Sequence, residues 1–144
     1  MEFHNASFDE LGSHTLYALL RLRVDVFVVE QRCPYPELDG RDAEAGTRHL
    51  WAERDGVPIG YLRILAERDG SARIGRVCVA RSERGSGLAR RLMTTALEQI
   101  DGRPCVLHAQ AHLAGFYGSF GFTATGPEYL DDGIPHIPMS RGGA

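Results

Sequence analysis

Several absences narrow the kinds of protein that this sequence can encode. The 144 residues contain no apolar run long enough to cross a membrane, and the first residues lack the basic start and apolar stretch of a signal peptide. The three cysteines show neither a metal-ligand spacing nor an even set for disulfides. A formal net charge of −3 offers no basic excess for nucleic acid. We therefore expect one domain over residues 1–144, reduced and cytoplasmic, with no membrane or nucleic-acid partner.

Two common phosphate-binding motifs are also absent around residues 84–89. The stretch has neither the spacing of a P-loop nor the G-x-G-x-x-G spacing of a dinucleotide fold. It reads Arg84-Gly85-Ser86-Gly87-Leu88-Ala89, between a strand pattern and a helix pattern. The first N–H groups of a helix have no partner inside the helix, and glycines let a ligand approach the backbone. The pattern predicts a phosphate-binding turn, or in the plainer interpretation a tight strand-to-helix turn.

Hydrophobic spacing predicts one mixed, largely antiparallel sheet of the α+β class. Predicted strands cover 2–8, 49–53, 57–66, 72–80 and 105–109, followed by one or two closing strands broken at 126–127, 131–133 and Pro135. Predicted helices cover 16–30, 87–100 and 112–119, with Arg21, Arg23 and Asp25 on the outer face of the first. Residues 31–42 are predicted as a loop, and 142–144 as a disordered tail. A crossover through helix 87–100 should make strands 72–80 and 105–109 parallel neighbours.

Two motifs in this order resemble the GCN5-related N-acetyltransferase (GNAT) family. Arg84, Gly87 and Ala89 match its Arg-x-x-Gly-x-Ala loop, and residues 116–122 resemble its F-Y-x-x-x-G-F element. Further segments resemble the ElaA-like branch of the family: 26–31, 33–35, 39–40, 48–49 and 135–139. The resemblance implies a GNAT-like acyl-CoA N-acyltransferase fold. In that fold helices cover both faces of the sheet, and the central parallel strands splay apart around the cofactor.

The resemblance also implies acetyl-CoA as co-substrate and assigns residues to it. The implied cofactor-binding residues are Val77, Cys78, Val79, Arg84, Gly85, Ser86, Gly87, Leu88, Ala89 and Gln110. Gln110 stands where the family often has asparagine, so its contact with the pantetheine arm differs in reach. Tyr117 is implied to protonate the departing thiolate, since a phenol is protonated at neutral pH. The plainer interpretation is that Tyr117 packs beside Phe116 and Phe120.

An attacking amine must lose a proton, and the sequence leaves its acceptor open among Glu30, His108 and His112. Each has a plainer interpretation: a helix-end carboxylate, a hydrogen-bonded strand histidine and the start of a helix. The acidic residues of the 31–42 loop, Glu37, Asp39 and Asp42, fit either a cationic acceptor or a solvated loop. No metal is expected, because no histidine pair shows zinc-ligand spacing on one element.

The expected function is an acetyl-CoA-dependent N-acetyltransferase that acts on an amine of a small molecule or protein by direct attack in a ternary complex. Two alternatives stay open. One is a non-catalytic acyl-CoA sensor, which would not need Tyr117. The other is a related acyltransferase that makes a signalling lactone, which would need a deep apolar acyl tunnel. Edge strands near the C-terminus could pair between two copies of the chain, so a homodimer is a further alternative.

Overall fold

The computed structural model describes residues 1–142 and contains one eight-stranded mixed sheet. Its strands are β1 (Glu2–Ala6), β2 (Arg48–Arg54), β3 (Val57–Ala66), β4 (Ala72–Val79), β5 (Cys105–Gln110), β6 (Thr123–Ala124), β7 (Tyr129–Asp131) and β8 (Ile134–Arg141). Their order is β1-β2-β3-β4-β5-β8-β6, with β7 also paired to β8. Strands β4 and β5 run parallel and the other described pairs antiparallel, which confirms the α+β prediction. Of the tail predicted to be disordered, Gly143 and Ala144 lie outside the described residues.

Within residues 1–142, three α-helices flank the sheet. They are α1 (Ser13–Val24), α2 (Leu88–Ile100) and α3 (Ala114–Gly118), and a 3₁₀ turn, Ala111–Leu113, precedes α3. The predicted helix up to Glu30 is confirmed, and its last part, Asp25–Glu30, is a π-helical segment rather than a continuation of the α-helical turns. Such wider turns are rare and occur often beside functional sites. Here the π-helical segment forms one wall of the cleft described below.

Local sequence signals explain the hairpins of the first half. Asp55 and Gly56 have φ values of 53° and 77°, as the two-residue turn between β2 and β3 requires. Gly70 likewise has a positive φ of 88° in the turn between β3 and β4. The predicted break at Pro135 was wrong, since Pro135 lies inside β8 opposite Leu130. Proline is tolerated there because the pairing of β8 with β5 begins only at His136, so β8 is still an edge on that side at Pro135.

Apolar residues on the two faces of the sheet form two separate cores. On one face α2 buries Leu88, Leu92, Met93, Ala96 and Ile100 against the sheet. On the other face Leu19, Leu22 and Val26 pack against Trp51, Tyr61 and Cys78. Gly60 of β3 lets α2 approach closely, because a Cβ there would lie 2.8 Å from Leu88. This close packing fixes the start of α2 against the sheet, and with it the preceding residues Gly85, Ser86 and Gly87, here called the glycine loop.

The parallel strands β4 and β5 part soon after they pair. Their register holds only at Ala72 with Cys105 and at Arg73 with Val106, although both strands continue well beyond these residues. The pairing of β3 with β4 is irregular between Tyr61 and Arg63, and Arg76 has a left-handed φ of 54°. A bulge of this kind bends a strand and increases its twist. The splayed central strands implied by the family resemblance are therefore confirmed.

A buried charge network holds the 31–42 loop against the sheet. The Arg23 guanidinium, which was predicted on the outer face of its helix, is 1% exposed and donates to Glu37 at 2.7 Å and Asp42 at 2.8 Å. The Arg63 guanidinium donates to Asp39 at 2.6 Å and to Asp42 at 3.1 Å. Burial disfavours ionisation of Asp42, but the hydrogen bond and charge of Arg23 hold its pKa below the ordinary value. The network therefore needs Asp42 ionised.

Removing the charge of Asp42 should lower the stability of the whole domain. Asp42→Asn leaves the Arg23 and Arg63 guanidinium groups buried with one carboxylate fewer, and we expect a loss of about 3 kcal/mol in the free energy of unfolding. Urea denaturation followed by circular dichroism at pH 7 measures it. Because the folded pKa of Asp42 is lowered, the wild-type advantage should shrink as the pH falls below about 4. The control is Asp55→Asn in an exposed turn, which tolerates asparagine. An equal loss in both variants would contradict the assignment.

Candidate functional site

A cleft of about 450 Å³ lies in the gap between β4 and β5. The π-helical segment and the following loop form one wall, and the hairpin of β7 and β8 forms another. Many sequence-predicted site residues meet here: Glu30, Val77, Cys78, Val79, Arg84, His108, Gln110 and Tyr117 line the cleft. The glycine loop follows the lining residue Arg84, so it adjoins one end of the cleft. Residues far apart in sequence thus form one continuous site.

The glycine loop presents a row of unpaired backbone N–H groups. Within the described residues, the N–H groups of residues 85–90 have no protein acceptor, and no side chain caps α2. Gly85 and Gly87 both have φ values of 82°, and a Cβ at either would meet no atom within 4 Å. The loop is therefore open at the positive end of the α2 dipole, and this arrangement suits a phosphate or another anion.

The main chain of β4 also faces the gap. The Ala80 N–H donates to the Ile59 carbonyl at 2.8 Å, so Ala80 pairs with β3. Along an antiparallel strand, residues alternate between those that hydrogen-bond to a given neighbouring strand and those that do not. Val79, which precedes Ala80, therefore points its main-chain N–H and carbonyl groups away from β3. In agreement, the Val79 carbonyl accepts hydrogen bonds from the Arg84 side chain at 3.2 and 3.3 Å. The Val79 N–H is thus available to a ligand in the cleft.

Arg84 links the glycine loop to the π-helical segment. Besides Val79, it donates to both carboxylate oxygens of Glu30, at 2.8 Å through Nη2 and by a second, shorter contact through Nη1. The hydrogen bond from Arg84 holds the pKa of Glu30 below its ordinary value. An ion-paired carboxylate with a lowered pKa is a poor proton acceptor near neutral pH, so this geometry favours Glu30 as the partner of Arg84 rather than as a base.

Tyr117 lies at the bottom of the cleft and is 6% exposed. Its ring packs edge-on against Phe116 and Phe122, at centroid distances of 5.1 and 6.3 Å. Burial, followed by the neighbouring Cys78, raises the pKa of the phenol to about 12. Among the described residues its hydroxyl forms no hydrogen bond with the protein, so the phenol can donate to a group bound in the cleft. The packing and donor interpretations are thus compatible.

At the other end of the cleft His108 contacts the C-terminal hairpin. Its Nδ1 forms a short hydrogen bond with the Tyr129 hydroxyl, and the Tyr129 ring lies 6.0 Å from that of His136. Sequence analysis missed Tyr129, because its contact depends on how β7 folds back onto β8 and carries no local signal. Gln110, two residues further along β5, donates to the Gln31 side chain at 3.3 Å. Gln110 therefore joins β5 to the wall that follows the π-helical segment.

The acidic loop residues are not available to a cationic ligand. Glu37, Asp39 and Asp42 are all paired with arginines of this chain. Asp131 and Asp132, at the turn of the C-terminal hairpin, are the acidic residues besides Glu30 that line the cleft. A possible metal-ligand group, His4 with Glu2 and Glu53, lies on β1 and β2 at the edge of the sheet. It does not border the cleft, so the cleft is interpreted from its own side chains.

Comparisons with known proteins agree with this geometry. Residues 21–141 match the family model described as an acetyltransferase (GNAT) domain. The chain is 51% identical to the UPF0039 protein Rv2851c of Mycobacterium tuberculosis over 139 residues, which cover 94% of this chain and 89% of that protein. It is 42% identical to protein ElaA of Escherichia coli, covering 98% of this chain and 96% of ElaA. The crystal structure of an acyl-CoA N-acyltransferase from Pseudomonas aeruginosa superimposes with a TM-score of 0.93 at 44% identity, covering 99% and 100% of the two chains.

The helices within residues 1–142 are short or carry many polar side chains. None of them combines the length and the apolar character that a membrane-crossing helix needs.

Proposed function

The chain belongs to the GNAT acetyltransferase family, with ElaA-like relatives, and on that premise we propose that it transfers an acetyl group from acetyl-CoA directly to an amine bound in the same cleft. The acceptor is an amine of a small molecule or a peptide. The observation that carries this proposal is the row of unpaired N–H groups at residues 85–90, which fits the diphosphate of coenzyme A. The name of the Pseudomonas relative, an acyl-CoA N-acyltransferase, supports the same class of donor.

Each residue of the cleft then has a separate task. The loop amides and Arg84 hold the diphosphate, and the free main-chain groups around Val79 hold the pantetheine arm and polarise the thioester carbonyl. Gln110 borders the same arm. Tyr117 donates a proton to the departing thiolate, because its raised pKa keeps the phenol protonated at neutral pH. Holding donor and acceptor in one cleft supplies the proximity that direct attack requires.

The experiment that tests this proposal is a coenzyme A release assay against a panel of amines, polyamines, aminoglycosides and peptides. The chain contains 16 arginines and no lysine, so no lysine of the protein itself can act as an acceptor. We expect amine-dependent release with at least one class, and mass spectrometry should find the acetylated amine. Binding of acetyl-CoA without release for any class would contradict catalysis and favour the sensor alternative.

The ion pair between Arg84 and Glu30 predicts an unusual gain of affinity. In the cofactor-free protein the guanidinium is engaged by Glu30, and coenzyme A must compete for it. Glu30→Gln should therefore tighten coenzyme A binding about three- to tenfold, equivalent to roughly 1 kcal/mol for an exposed charge pair. Isothermal titration calorimetry with coenzyme A measures the effect.

Glu83→Gln is the matched control for this prediction. Glu83 lies in the turn just before Arg84 but pairs with Arg54, at 2.7 Å. Both substitutions remove one negative charge near the glycine loop, while only the first releases Arg84. In an Arg84→Gln background, Glu30→Gln should lose its effect. If Glu30→Gln and Glu83→Gln tightened coenzyme A binding equally, the gain would come from the change in overall charge. That result would contradict the competition between Glu30 and coenzyme A for Arg84.

A further inference from the structure

We propose that His108 takes the proton of the acceptor amine and that Tyr129 positions it for this step. The inference rests on the proposed acetyl transfer and names the group that this reaction still lacks. It is carried by a contact between β5 and the C-terminal hairpin, in which the Tyr129 hydroxyl meets Nδ1 of the imidazole.

The position of His108 follows from the way in which β4 and β5 part. Val106 is the last β5 residue paired with β4, and His108 comes two residues later, just inside the gap. On β4, Gly75 likewise comes two residues after Arg73, the last residue paired with β5. Gly75 has no side chain, and a Cβ built there would meet no atom within 4 Å, so the space beside it is open. Both residues line the cleft. The imidazole therefore borders space that is open to a small amine.

Hydrogen bonding leaves one imidazole nitrogen free for the amine. Nδ1 contacts Tyr129, whereas Nε2 of His108 has no protein partner among residues 1–142. With the ring proton on Nδ1, His108 donates to the Tyr129 oxygen, and the lone pair of Nε2 stays available. The ring of Tyr129 meets that of His108 edge-on at 5.7 Å and has His136 nearby, so the orientation of the imidazole is fixed.

The surroundings of His108 keep the imidazole neutral. Partial burial, then the charge of Arg73 on β4 and His136 on β8, lowers its pKa, while Asp131 on β7 opposes them. The pKa of Tyr129 is raised by burial and by Asp131, so its hydroxyl stays protonated and does not become a competing base. A neutral imidazole at pH 7 is the form that accepts a proton.

The proton balance of the reaction is complete. Nε2 of His108 takes one proton from the ammonium form of the acceptor, and the neutral nitrogen attacks the thioester carbon. A C–N bond forms and the C–S bond breaks, while the Tyr117 hydroxyl protonates the thiolate. After the attack the nitrogen loses a second proton to solvent, and the Tyr117 phenolate takes up one proton from solvent. His108 releases its own proton to water.

Two acceptors of equal size but different basicity test this role. Ethylamine is an ammonium ion at pH 7 and needs a base, whereas methoxyamine is already neutral. His108→Gln should lower kcat/KM for ethylamine about a hundredfold and for methoxyamine by less than about threefold. Tyr129→Phe should lower the ethylamine value less than His108→Gln does. His14→Gln, on the exposed side of α1, is the control and should leave both acceptors unchanged.

Several results would overturn the inference. A loss that is equal for both amines, or no loss for either, removes the base role of His108. A selective loss for ethylamine in His112→Gln instead would assign the base to His112. Nitrogen NMR of the imidazole rings can be measured without an amine substrate. It should find His108 neutral at pH 7 with its proton on Nδ1, and Tyr129→Phe should change the position of this ring proton. A proton on Nε2, or a charged ring, contradicts the inference. Failure of the wild type to bind coenzyme A would instead reject the proposed function itself.

Discussion

Tyr117→Phe is expected to lower the turnover number about a hundredfold while leaving the affinity for coenzyme A within about twofold. The substitution removes a single hydroxyl from a ring that is otherwise packed by Phe116 and Phe122, so the fold should be retained. A positioned general acid typically contributes a factor of about a hundred or more. Steady-state kinetics with the best acceptor of the panel measures turnover, and calorimetry measures binding.

The control for this variant is Tyr17→Phe, which removes the same hydroxyl from a side chain that is 73% exposed on α1. It should leave turnover unchanged. A Tyr117→Phe protein with full turnover would show that solvent, rather than this phenol, protonates the thiolate. A parallel loss of coenzyme A affinity would mean that the hydroxyl binds the donor, and the acid assignment would fail.

Gly85→Asp should weaken coenzyme A binding about a hundredfold. The aspartate carboxylate would stand among the unpaired amides of the glycine loop, where it would repel the diphosphate and compete for the same N–H groups. The site tolerates the side chain itself, because the open space at Gly85 admits a Cβ and Asp is among the residues that accept a left-handed φ. Calorimetry with coenzyme A at low salt reads out the loss.

Gly85→Asn separates charge from shape in this test. Asparagine has the same size as aspartate and accepts the same backbone conformation, but it carries no charge. We expect it to weaken binding by less than about tenfold, with an unchanged thermal midpoint in both variants. If the two substitutions weakened binding equally, the loop would exclude a side chain for steric reasons and would not be acting as an anion site.

The parts of the fold that sequence predicted are those with a local cause. The apolar stripe from Leu88 to Ile100 predicted α2 to within one residue, and Asp55-Gly56 marked a real hairpin turn. The glycine loop was visible for the same reason, since its spacing, positive φ values and helix start are all set within a few residues. Local patterns thus placed one half of the cleft.

The features that sequence missed depend on distant partners. Arg23 was placed outside its helix because an isolated arginine prefers water, yet it is buried by carboxylates that follow it by 14 and 19 residues. Tyr129 gained its contact with His108 only through the folding of the C-terminal hairpin. The sequence pattern assigned Arg84 to the cofactor and gave no sign of its ion pair with Glu30, which lies 54 residues earlier in the chain. Hydrophobic periodicity is a local signal and does not predict contacts between residues that are distant in sequence.

The measurement that tests the central claim most directly is an NMR titration of nitrogen-labelled protein with coenzyme A. The amide signals of residues 85–90 should shift most, saturably, and with one dissociation constant that calorimetry reproduces. Inorganic diphosphate should move the same signals more weakly, because it reproduces only the anion. Coenzyme A binding that leaves these amides unchanged, or no saturable binding at all, would contradict the account.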